Sequence, residues 1–267
     1  MTPAATTGRD LDRIRDHLVE MGAGALTMYK GPCFERRLAS RLRIRGVASV
    51  GAYADLLDRE PEERIKLLSA IAIGVTSFFR NPTAWSRLAE LLRIRPFSSR
   101  FAVWCAGCAT GEEPFTVAML MASLADQGMV GDWSVLGTDV DERSLAVARG
   151  GEYPARVVAE IEQGGFPARG VQVDGRFRID EALRARVSFR REDLLAPAPR
   201  SQFDLVVCRN VLIYFGPEGQ RRALASLGAA LREGGLLMLG KAELASMEGS
   251  VPLELVDRRE RLYRRIG

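Results

Sequence analysis

The residues whose types and spacing most clearly suggest ligand binding or catalysis lie in one segment, 101–115, with the sequence FAVWCAGCATGEEPF. A short apolar run ends at a loop of small residues, and a helical pattern follows with Glu112 and Glu113 at its start and Pro114 in the first turn. A strand, a tight turn and a helix N-terminus form the usual cradle for a nucleotide-like ligand at the edge of a parallel sheet. Because two acids at that N-terminus would repel a pyrophosphate, we predict a ligand with a cationic head.

The same loop lacks the patterns of the common phosphate-binding loops. It contains neither G-x-G-x-x-G nor Gly-Lys followed by Ser or Thr. The next predicted strand ends at Asp139, and a carboxylate at that place can bridge the hydroxyls of a ribose. The alternative is that Asp139 caps the helix that begins near Asp141. The pattern therefore predicts a nucleoside ligand without phosphates.

Cys105 and Cys108 form a Cys-x-x-Cys pair, which in other proteins is a redox dithiol or half of a zinc site. The chain has no second such pair, and its one histidine is His17, far away in the sequence. We therefore expect these cysteines to be small residues of a tight loop, and we predict no metal.

Two further segments place polar residues near the predicted cleft. The segment 203–215, FDLVVCRNVLIYF, reads as a strand followed directly by Arg209 and Asn210, with Tyr214 a few residues later. Polar residues at the carboxyl end of a parallel strand face the ligand crevice, which favours Arg209 and Asn210 as site residues. The alternative is that Arg209 is a surface residue and Asn210 a helix cap. In the segment 75–80, VTSFFR, the phenylalanines predict packing, and Thr76 and Arg80 are the candidates for ligand contact.

A cluster of arginines without an intervening acid lies in a predicted helix near the N-terminus. Its apolar positions follow helical spacing, so the arginines are predicted to lie on its exposed sides. A solvated helix face is the ordinary explanation of such a run, but the density of positive charge favours a docking surface for an acidic partner. The candidate docking residues are Arg36, Arg37, Arg41, Arg43 and Arg45.

Composition narrows the class of protein. The chain has 267 residues, of which 47% are hydrophobic and 27% charged, as in an ordinary globular protein. No apolar run approaches the roughly 18 residues of a membrane span, and no secretion signal is apparent, so we predict a cytoplasmic protein without membrane insertion. Residues 1–95 hold 16 basic against 11 acidic residues, which places the positive charge in the N-terminal part.

The order of patterns predicts two domains. Residues 1–95 read as four or five short helices, and residues 96–267 alternate strands with helices, which is typical of a mostly parallel sheet. Within the second part, 151–186 reads as an insertion with short β-strands, and 253–257 with 261–266 as a closing hairpin. Gly234 and Gly235 are predicted to end a helix over 217–232. The predicted strands are 101–105, 133–138, 187–190, 203–208 and 236–240, and the predicted helices between them are 113–126, 142–150 and 217–232.

Taken together, these segments resemble the CheR family of chemotaxis receptor methyltransferases. The motifs TSFFRN, WCAGCATGEEPF, GTDVD, CRNVLIYF and LREGGLLMLGKAE occur in the family's order and approximate spacing, and the resemblance covers nearly the whole chain. It implies an all-α N-terminal domain before a Rossmann-like methyltransferase sheet that carries a small β-subdomain. It also implies transfer of a methyl group from S-adenosylmethionine to glutamate side chains in the cytoplasmic domain of chemoreceptors.

The resemblance also assigns roles to single residues. Asp139 is expected to hold the ribose, one or both of Glu112 and Glu113 the cationic methionyl end, and Asp193 with Leu194 the adenine. Gly74 and Asp193 depart from the family, because Asn is common at both places. The remaining residues implied for cofactor binding are Thr76, Arg80, Ala106, Gly107, Arg209 and Asn210.

The residue inventory suits this chemistry. A glutamate carboxylate is a nucleophile at pH 7, so no histidine or cysteine base is needed, and the task is in-line positioning and desolvation. We assign Arg80 to orienting a carboxylate and Tyr214 to shaping the acceptor channel. We also expect the enzyme to be a monomer and to bind no nucleic acid. The alternatives are a methyltransferase of the same fold acting on another acidic protein or RNA, and a non-catalytic scaffold that binds S-adenosylmethionine.

Overall fold

The computed structural model describes residues 8–94, 100–197, 202–243 and 252–266. The N-terminal part of the structure is helical. Proline or capping residues set several of its helix ends: Ser49 Oγ accepts a hydrogen bond from the Ala52 amide, and Pro61 occupies the first position of its helix. The elements are α1 (Gly8–Glu20), a 3-10 helix (Gly24–Met28), α2 (Gly31–Arg45), α3 (Val50–Arg59), α4 (Pro61–Ile71) and α5 (Pro82–Arg93).

The helices of this part do not share a single core. Buried side chains of α1 to α4, such as Ile14, Phe34 and Tyr53, form one apolar cluster. Trp85 and Leu88 of α5 instead belong to the cluster built on the sheet. The predicted domain boundary near residue 95 stays a prediction. By its packing, α5 belongs with the elements that follow it in the chain.

The rest of the chain alternates strands and helices. The helices are α6 (Glu112–Asp126), α7 (Glu142–Gly150), α8 (Val157–Gln163), α9 (Glu181–Arg184) and α10 (Pro217–Ala230), with a 3-10 turn at Leu212–Tyr214. The strands are β1 (Arg100–Ala106), β2 (Asp132–Asp139), β3 (Glu152–Pro154), β4 (Gly170–Val173), β5 (Arg176–Ile179), β6 (Val187–Arg191), β7 (Phe203–Cys208), β8 (Leu231–Leu239), β9 (Leu253–Asp257) and β10 (Leu262–Arg265).

Within the described residues, the large sheet has seven strands in the order β6-β2-β1-β7-β8-β10-β9. β10 runs antiparallel to its neighbours β8 and β9, whereas β6, β2, β1, β7 and β8 pair in parallel. The strand order reverses between β1 and β7, and ligands of such sheets bind in the crevice outside the carboxyl ends at this switch point. The predicted α/β fold, with a helical part before it, is confirmed.

The insertion is also confirmed as a small β-structure. β5 lies between β3 and β4 and pairs with both in antiparallel fashion. α8 and α9 belong to the same stretch of chain, so the insertion contains short helices that the sequence pattern did not predict.

The predicted role of Gly234 and Gly235 as a helix cap is wrong. α10 ends at Ala230, and both glycines lie inside β8, where the pairing with β7 shifts register. Gly234 has φ +71°, and a Cβ atom on Gly235 would lie 3.0 Å from the carbonyl oxygen of Phe203. The two glycines therefore allow a bulge in the strand. A pair of glycines after a helix is equally compatible with a helix cap, so the sequence alone does not distinguish the two.

Among the described residues, no helix combines the length and the apolar character needed to cross a membrane.

Candidate active site

A cavity lies at the switch point of the sheet, and we call it the switch-point cavity. Gly107 follows β1, Asp139 ends β2 and Asn210 follows β7, and all three residues line it. A smaller cavity adjoins it and is also lined by Gly107 and Asn210; we call it the Arg80 cavity after the cation at its edge. The strand ends thus bring together Gly107 and Asn210, which are 103 positions apart in the sequence.

The loop after β1 approaches the opposite wall closely because it carries glycine. Gly107 has φ +74°, and a Cβ atom there would lie 2.6 Å from a methyl group of Val211. An L-residue would therefore be strained in its backbone and would also clash with the loop after β7. Ala106, also predicted to contact the cofactor, is buried in the core at the end of β1 and does not line either cavity.

Asp139 holds the two loops next to it. Its Oδ2 accepts a hydrogen bond of 2.8 Å from the Ala109 amide, and its Oδ1 accepts one of 2.9 Å from the Asp141 amide. Burial raises the pKa of the Asp139 carboxyl. The helix cap of α7 is Asp141, whose Oδ1 accepts from the Arg143 amide at 3.2 Å. The alternative of Asp139 as the cap is therefore wrong, and its carboxylate lies at the cavity.

The two adjacent acids of α6 occupy different environments. Glu113 lines the Arg80 cavity, and burial raises its pKa to about 7 although Arg209, with Nη1 3.7 Å from Oε2, lowers it. Glu112 does not line either cavity, and its Oε2 accepts a hydrogen bond of 2.7 Å from the Thr110 hydroxyl. The acid that faces the cleft is Glu113.

Arg209 is buried and Asn210 is half-buried. Arg209 is 6% exposed, and its Nη2 donates to the Arg80 carbonyl at 2.8 Å and to Asn81 Oδ1 at 3.0 Å. Its guanidinium lies 5.0 Å from the ring centre of Trp85. Asn210 has φ +61°, and its buried Oδ1 finds no hydrogen-bond partner among the described residues. An unpaired amide oxygen at the edge of a cavity is a place for a donor on a ligand.

Thr76, Arg80 and Tyr214 line the cavities from other elements. Thr76 and the exposed Arg80 line the Arg80 cavity. Tyr214 lines the switch-point cavity, and its ring stacks on that of Tyr29 from the N-terminal part, with 5.7 Å between centroids. Tyr29 was not predicted, because nothing in its local sequence distinguishes it from a core aromatic.

The placement of Asp193 does not support its predicted contact with adenine. Its Oδ2 accepts a hydrogen bond of 2.7 Å from the Ala25 amide and its Oδ1 one of 2.8 Å from the Leu195 amide, and the residue lies outside the switch-point cavity. Leu194, predicted together with it, does line that cavity, as does Glu192. Glu192 follows β6 directly, so the rule that found Asn210 after β7 should have found it too.

The predicted docking surface needs a correction at Arg41 and Arg45. Glu63, which is 0% exposed, accepts a hydrogen bond from Arg41 Nε at 3.0 Å and another from Arg45 Nη1 at 3.0 Å. Glu60 accepts from Arg45 Nη2 at 3.0 Å. Both arginines are therefore internal ion-pair partners. The sequence hid this because the acids lie on α4 and its N-terminal cap, outside the arginine-bearing helix.

The three other arginines stay on the open side of α2. Arg36 and Arg43 are exposed and lie seven positions apart, which places them on one face; Arg37 is half-buried. Within the part of the chain that the structure describes, none of the three has an ion pair.

Cys105 and Cys108 are buried, and burial raises the pKa of both thiols well above the ordinary value. Both belong to the core cluster of the sheet. Among residues 8–94, 100–197, 202–243 and 252–266, no group of three or more His, Cys, Asp or Glu side chains is placed to hold a metal ion.

The mostly parallel sheet and the acidic switch-point site are those expected of an S-adenosylmethionine-dependent methyltransferase, and the family comparison shows that class. Family models agree: "CheR methyltransferase, SAM binding domain" matches residues 74–257, and "CheR methyltransferase, all-alpha domain" matches residues 9–72. The chain belongs to the CheR methyltransferase family.

Curated relatives support the same family. The "Chemotaxis protein methyltransferase" of Listeria monocytogenes is 33% identical over 223 residues, which cover 82% of this chain and 83% of that protein. The "Chemotaxis protein methyltransferase 2" of Pseudomonas aeruginosa is 32% identical over 89% of this chain and 87% of its own length. An "Uncharacterized 104.1 kDa protein in hypE 3'region" of Rhodobacter capsulatus is 36% identical over 87% of this chain, which spans 25% of that longer protein.

The residues present fit S-adenosylmethionine. The Asp139 carboxylate suits the two ribose hydroxyls, the Glu113 carboxylate suits the methionyl ammonium, and the unpaired Asn210 Oδ1 offers a further acceptor. Gly107 lets the loop after β1 lie against Val211 at the cavity, because a Cβ atom there would clash with a Val211 methyl group.

Proposed function

We propose that this enzyme transfers the methyl group of S-adenosylmethionine to glutamate side chains in the cytoplasmic domain of chemoreceptors and forms glutamyl methyl esters. The observation that carries the proposal is the composition of the Arg80 cavity, where an exposed arginine stands at the edge and no histidine or cysteine is among the lining residues described. A carboxylate acceptor needs no base because it is ionised at pH 7, and a guanidinium is its best orienting partner. The names of the relatives from Listeria and Pseudomonas point to the same process.

Each residue has a specific task in this proposal. When bound, S-adenosylmethionine supplies a methyl group that its sulfonium has already activated for transfer. Asp139 holds the ribose hydroxyls and Glu113 the ammonium, so both fix the ligand in the cleft. Thr76 and Arg80 contact the cofactor from the Arg80 cavity, and Arg80 also orients the incoming carboxylate. Tyr214 with Tyr29 walls the cleft against water.

The decisive experiment is incubation with tritiated S-adenosylmethionine and a receptor cytoplasmic fragment, followed by alkaline treatment. Volatile, base-labile methanol is expected because a carboxyl methyl ester hydrolyses in base. Label that stays on RNA or on base-stable amines would instead establish another acceptor, and binding of the cofactor without any transfer would establish a scaffold. An acceptor fragment with glutamine at its glutamate positions serves as the matched control.

The docking of the acceptor gives a first prediction. Arg36→Glu combined with Arg43→Glu should lower kcat/KM for the receptor fragment tenfold or more, because both side chains lie exposed on one face of α2. Cofactor affinity should not change, since neither residue lines a cavity. Salt titration of the wild-type rate provides a second readout, because exposed charges are screened. A parallel loss of cofactor affinity would mean that the variant has damaged the fold.

The buried acid gives a second prediction, on pH. Glu113 has a pKa of about 7 in the free protein and must be ionised to pair with an ammonium. Affinity for S-adenosylmethionine should therefore rise as pH increases from 6 to 7 and weaken by up to about tenfold per unit below 7. Calorimetry should show this fall in affinity below pH 7 in the wild type and in Glu112→Gln. Glu113→Gln should bind S-adenosylmethionine weakly, and its affinity should not change over this pH range. A wild type with a flat profile would refute the role of Glu113.

A further inference from the structure

The loop that carries Thr76 and Arg80 has an unusual backbone. Phe79 has φ +45° and Asn81 has φ +59°. A bulky aromatic residue with a positive φ is an outlier for an L-amino acid, and such a conformation persists only where the surrounding structure holds it. Phe79 is 1% exposed, so its contacts show which elements do so.

The insertion packs directly on Phe79. The ring of Phe166 stacks on that of Phe79, with 5.0 Å between centroids and 10° between planes. Gly164, at the end of α8, lies so close that a Cβ atom there would be 2.3 Å from Phe79 Cγ. From the opposite direction, the Phe79 amide donates a hydrogen bond of 3.0 Å to Thr116 Oγ1 of α6. Phe79 is thus held between α6 and the insertion.

A second contact holds the neighbouring residue. The Phe78 amide donates a hydrogen bond of 3.2 Å to Glu160 Oε2 on α8. The Phe78 ring meets that of Tyr153 edge to face at 5.1 Å, and the Tyr153 hydroxyl donates to the Thr110 carbonyl at 2.8 Å. The insertion therefore reaches both the loop that carries Arg80 and the loop after β1.

We infer that the insertion positions the Thr76–Arg80 loop: Glu160, Gly164 and Phe166 act through Phe78 and Phe79 to hold Thr76 and Arg80 at the Arg80 cavity. We call these three residues the insertion clamp. The inference rests on the proposed contact of the Thr76–Arg80 loop with the cofactor, and it does not depend on which acceptor is methylated.

The contacts themselves distinguish positioning from simple core packing. A core needs only apolar contacts, and the stacking of Phe166 on Phe79 would satisfy it. The clamp also directs a carboxylate to a single backbone amide of the loop, and it places its one glycine where any side chain would displace the strained residue. Both features fix the path of the backbone rather than the amount of apolar burial.

The test uses the full chain and measures S-adenosylmethionine affinity by calorimetry together with thermal unfolding. Phe166→Ala and Glu160→Ala should each weaken binding roughly tenfold, and Phe166→Leu should recover most of the loss. Glu162→Ala, an exposed neighbour on the same helix, is the matched control and should bind as the wild type does. Glu160→Ala removes one hydrogen bond at a half-buried site, so it keeps the test valid if Phe166→Ala unfolds.

A loop variant, Thr76→Ala with Arg80→Ala, shows whether the clamp acts through the loop. Alone it should weaken binding tenfold or more, and adding Glu160→Ala or Phe166→Ala should then cause little further loss. Additive losses would overturn the inference, because the clamp would then act elsewhere. Clamp variants with unchanged affinity would overturn it while leaving the proposed function intact. A loop variant with unchanged affinity would refute the loop's contact with the cofactor, and the inference with it.

Discussion

Replacing Asp139 with alanine is expected to weaken S-adenosylmethionine binding about 100-fold. The half-buried Asp139 carboxylate lies at the switch-point cavity, where hydrogen bonds between a charged group and two hydroxyls are worth about 1.5–3 kcal/mol each. Part of that gain offsets the burial of the charge. Calorimetry with the wild type and the variant measures the change directly.

A direct contact of Asp139 with the ribose must be separated from its structural role, because its carboxylate also accepts hydrogen bonds from the backbone amides of Ala109 and Asp141. Comparing S-adenosylhomocysteine with its 2′-deoxy analogue makes this separation. Losing the hydroxyl should weaken binding to the wild type much more than binding to Asp139→Ala. An equal effect in both proteins would assign Asp139 to loop structure alone.

Asp193 provides a matched variant. Like Asp139, it accepts one amide hydrogen bond from a residue two positions ahead and one from a distant loop, but it lies outside the switch-point cavity. Asp193→Ala should therefore keep its sensitivity to the 2′-deoxy change. A lost sensitivity in this variant would restore Asp193 as a ligand contact.

The largest expected effect on stability comes from Glu63. Glu63→Ala should lower the free energy of unfolding by about 3–5 kcal/mol, because it leaves the Arg41 and Arg45 guanidiniums and the Tyr53 hydroxyl without their shared acceptor. Chemical denaturation measures the loss. Glu62→Ala, one position earlier and exposed, should change the free energy of unfolding by less than about 0.5 kcal/mol.

The same carboxylate makes stability depend on pH in a definite direction. Burial raises the pKa of Glu63, but hydrogen bonds from Arg41 and Tyr53 and the arginine charges outweigh burial, so the net pKa lies below the ordinary value. A lowered folded-state pKa contributes stability above the unfolded value of about 4.3, and this is lost as pH falls below it. Glu63→Ala should lack this part of the acid dependence. An unchanged acid limb would show that other carboxylates produce it.

Much of the fold could be predicted because its signals are local. The apolar strands β1, β2 and β7 stand out against their loops, and the run of small residues between β1 and α6 is by itself typical of a backbone that approaches a ligand or a wall closely. Gly234 and Gly235 show the limit: two glycines after a helix suit a cap and a bulge equally well, and only the pairing of β8 with β7 decides between them.

The site could be predicted where a residue's position along its own strand fixes its direction. Asp139 and Asn210 are such residues. Arg41 and Asp193 are not, because their partners, Glu63 and the Ala25 amide, lie on other elements. For Asp193 the partner is 168 positions away, and no local pattern records that contact. Glu113 required its surroundings as well, since only the folded chain shows which of two adjacent acids is buried.

The stacked pair of Tyr29 and Tyr214 has a consequence for how the two parts of the chain unfold. Tyr29 and Ile73 come from the helical part, yet they line the same cavity as Asp139 and Asn210 of the sheet. A ligand seated there binds only while both parts are folded, so its binding free energy couples them into one cooperative unit. At one hundred times its dissociation constant this coupling is worth about 2.7 kcal/mol. Amide hydrogen exchange in α1 to α4 should therefore slow when the cofactor is present.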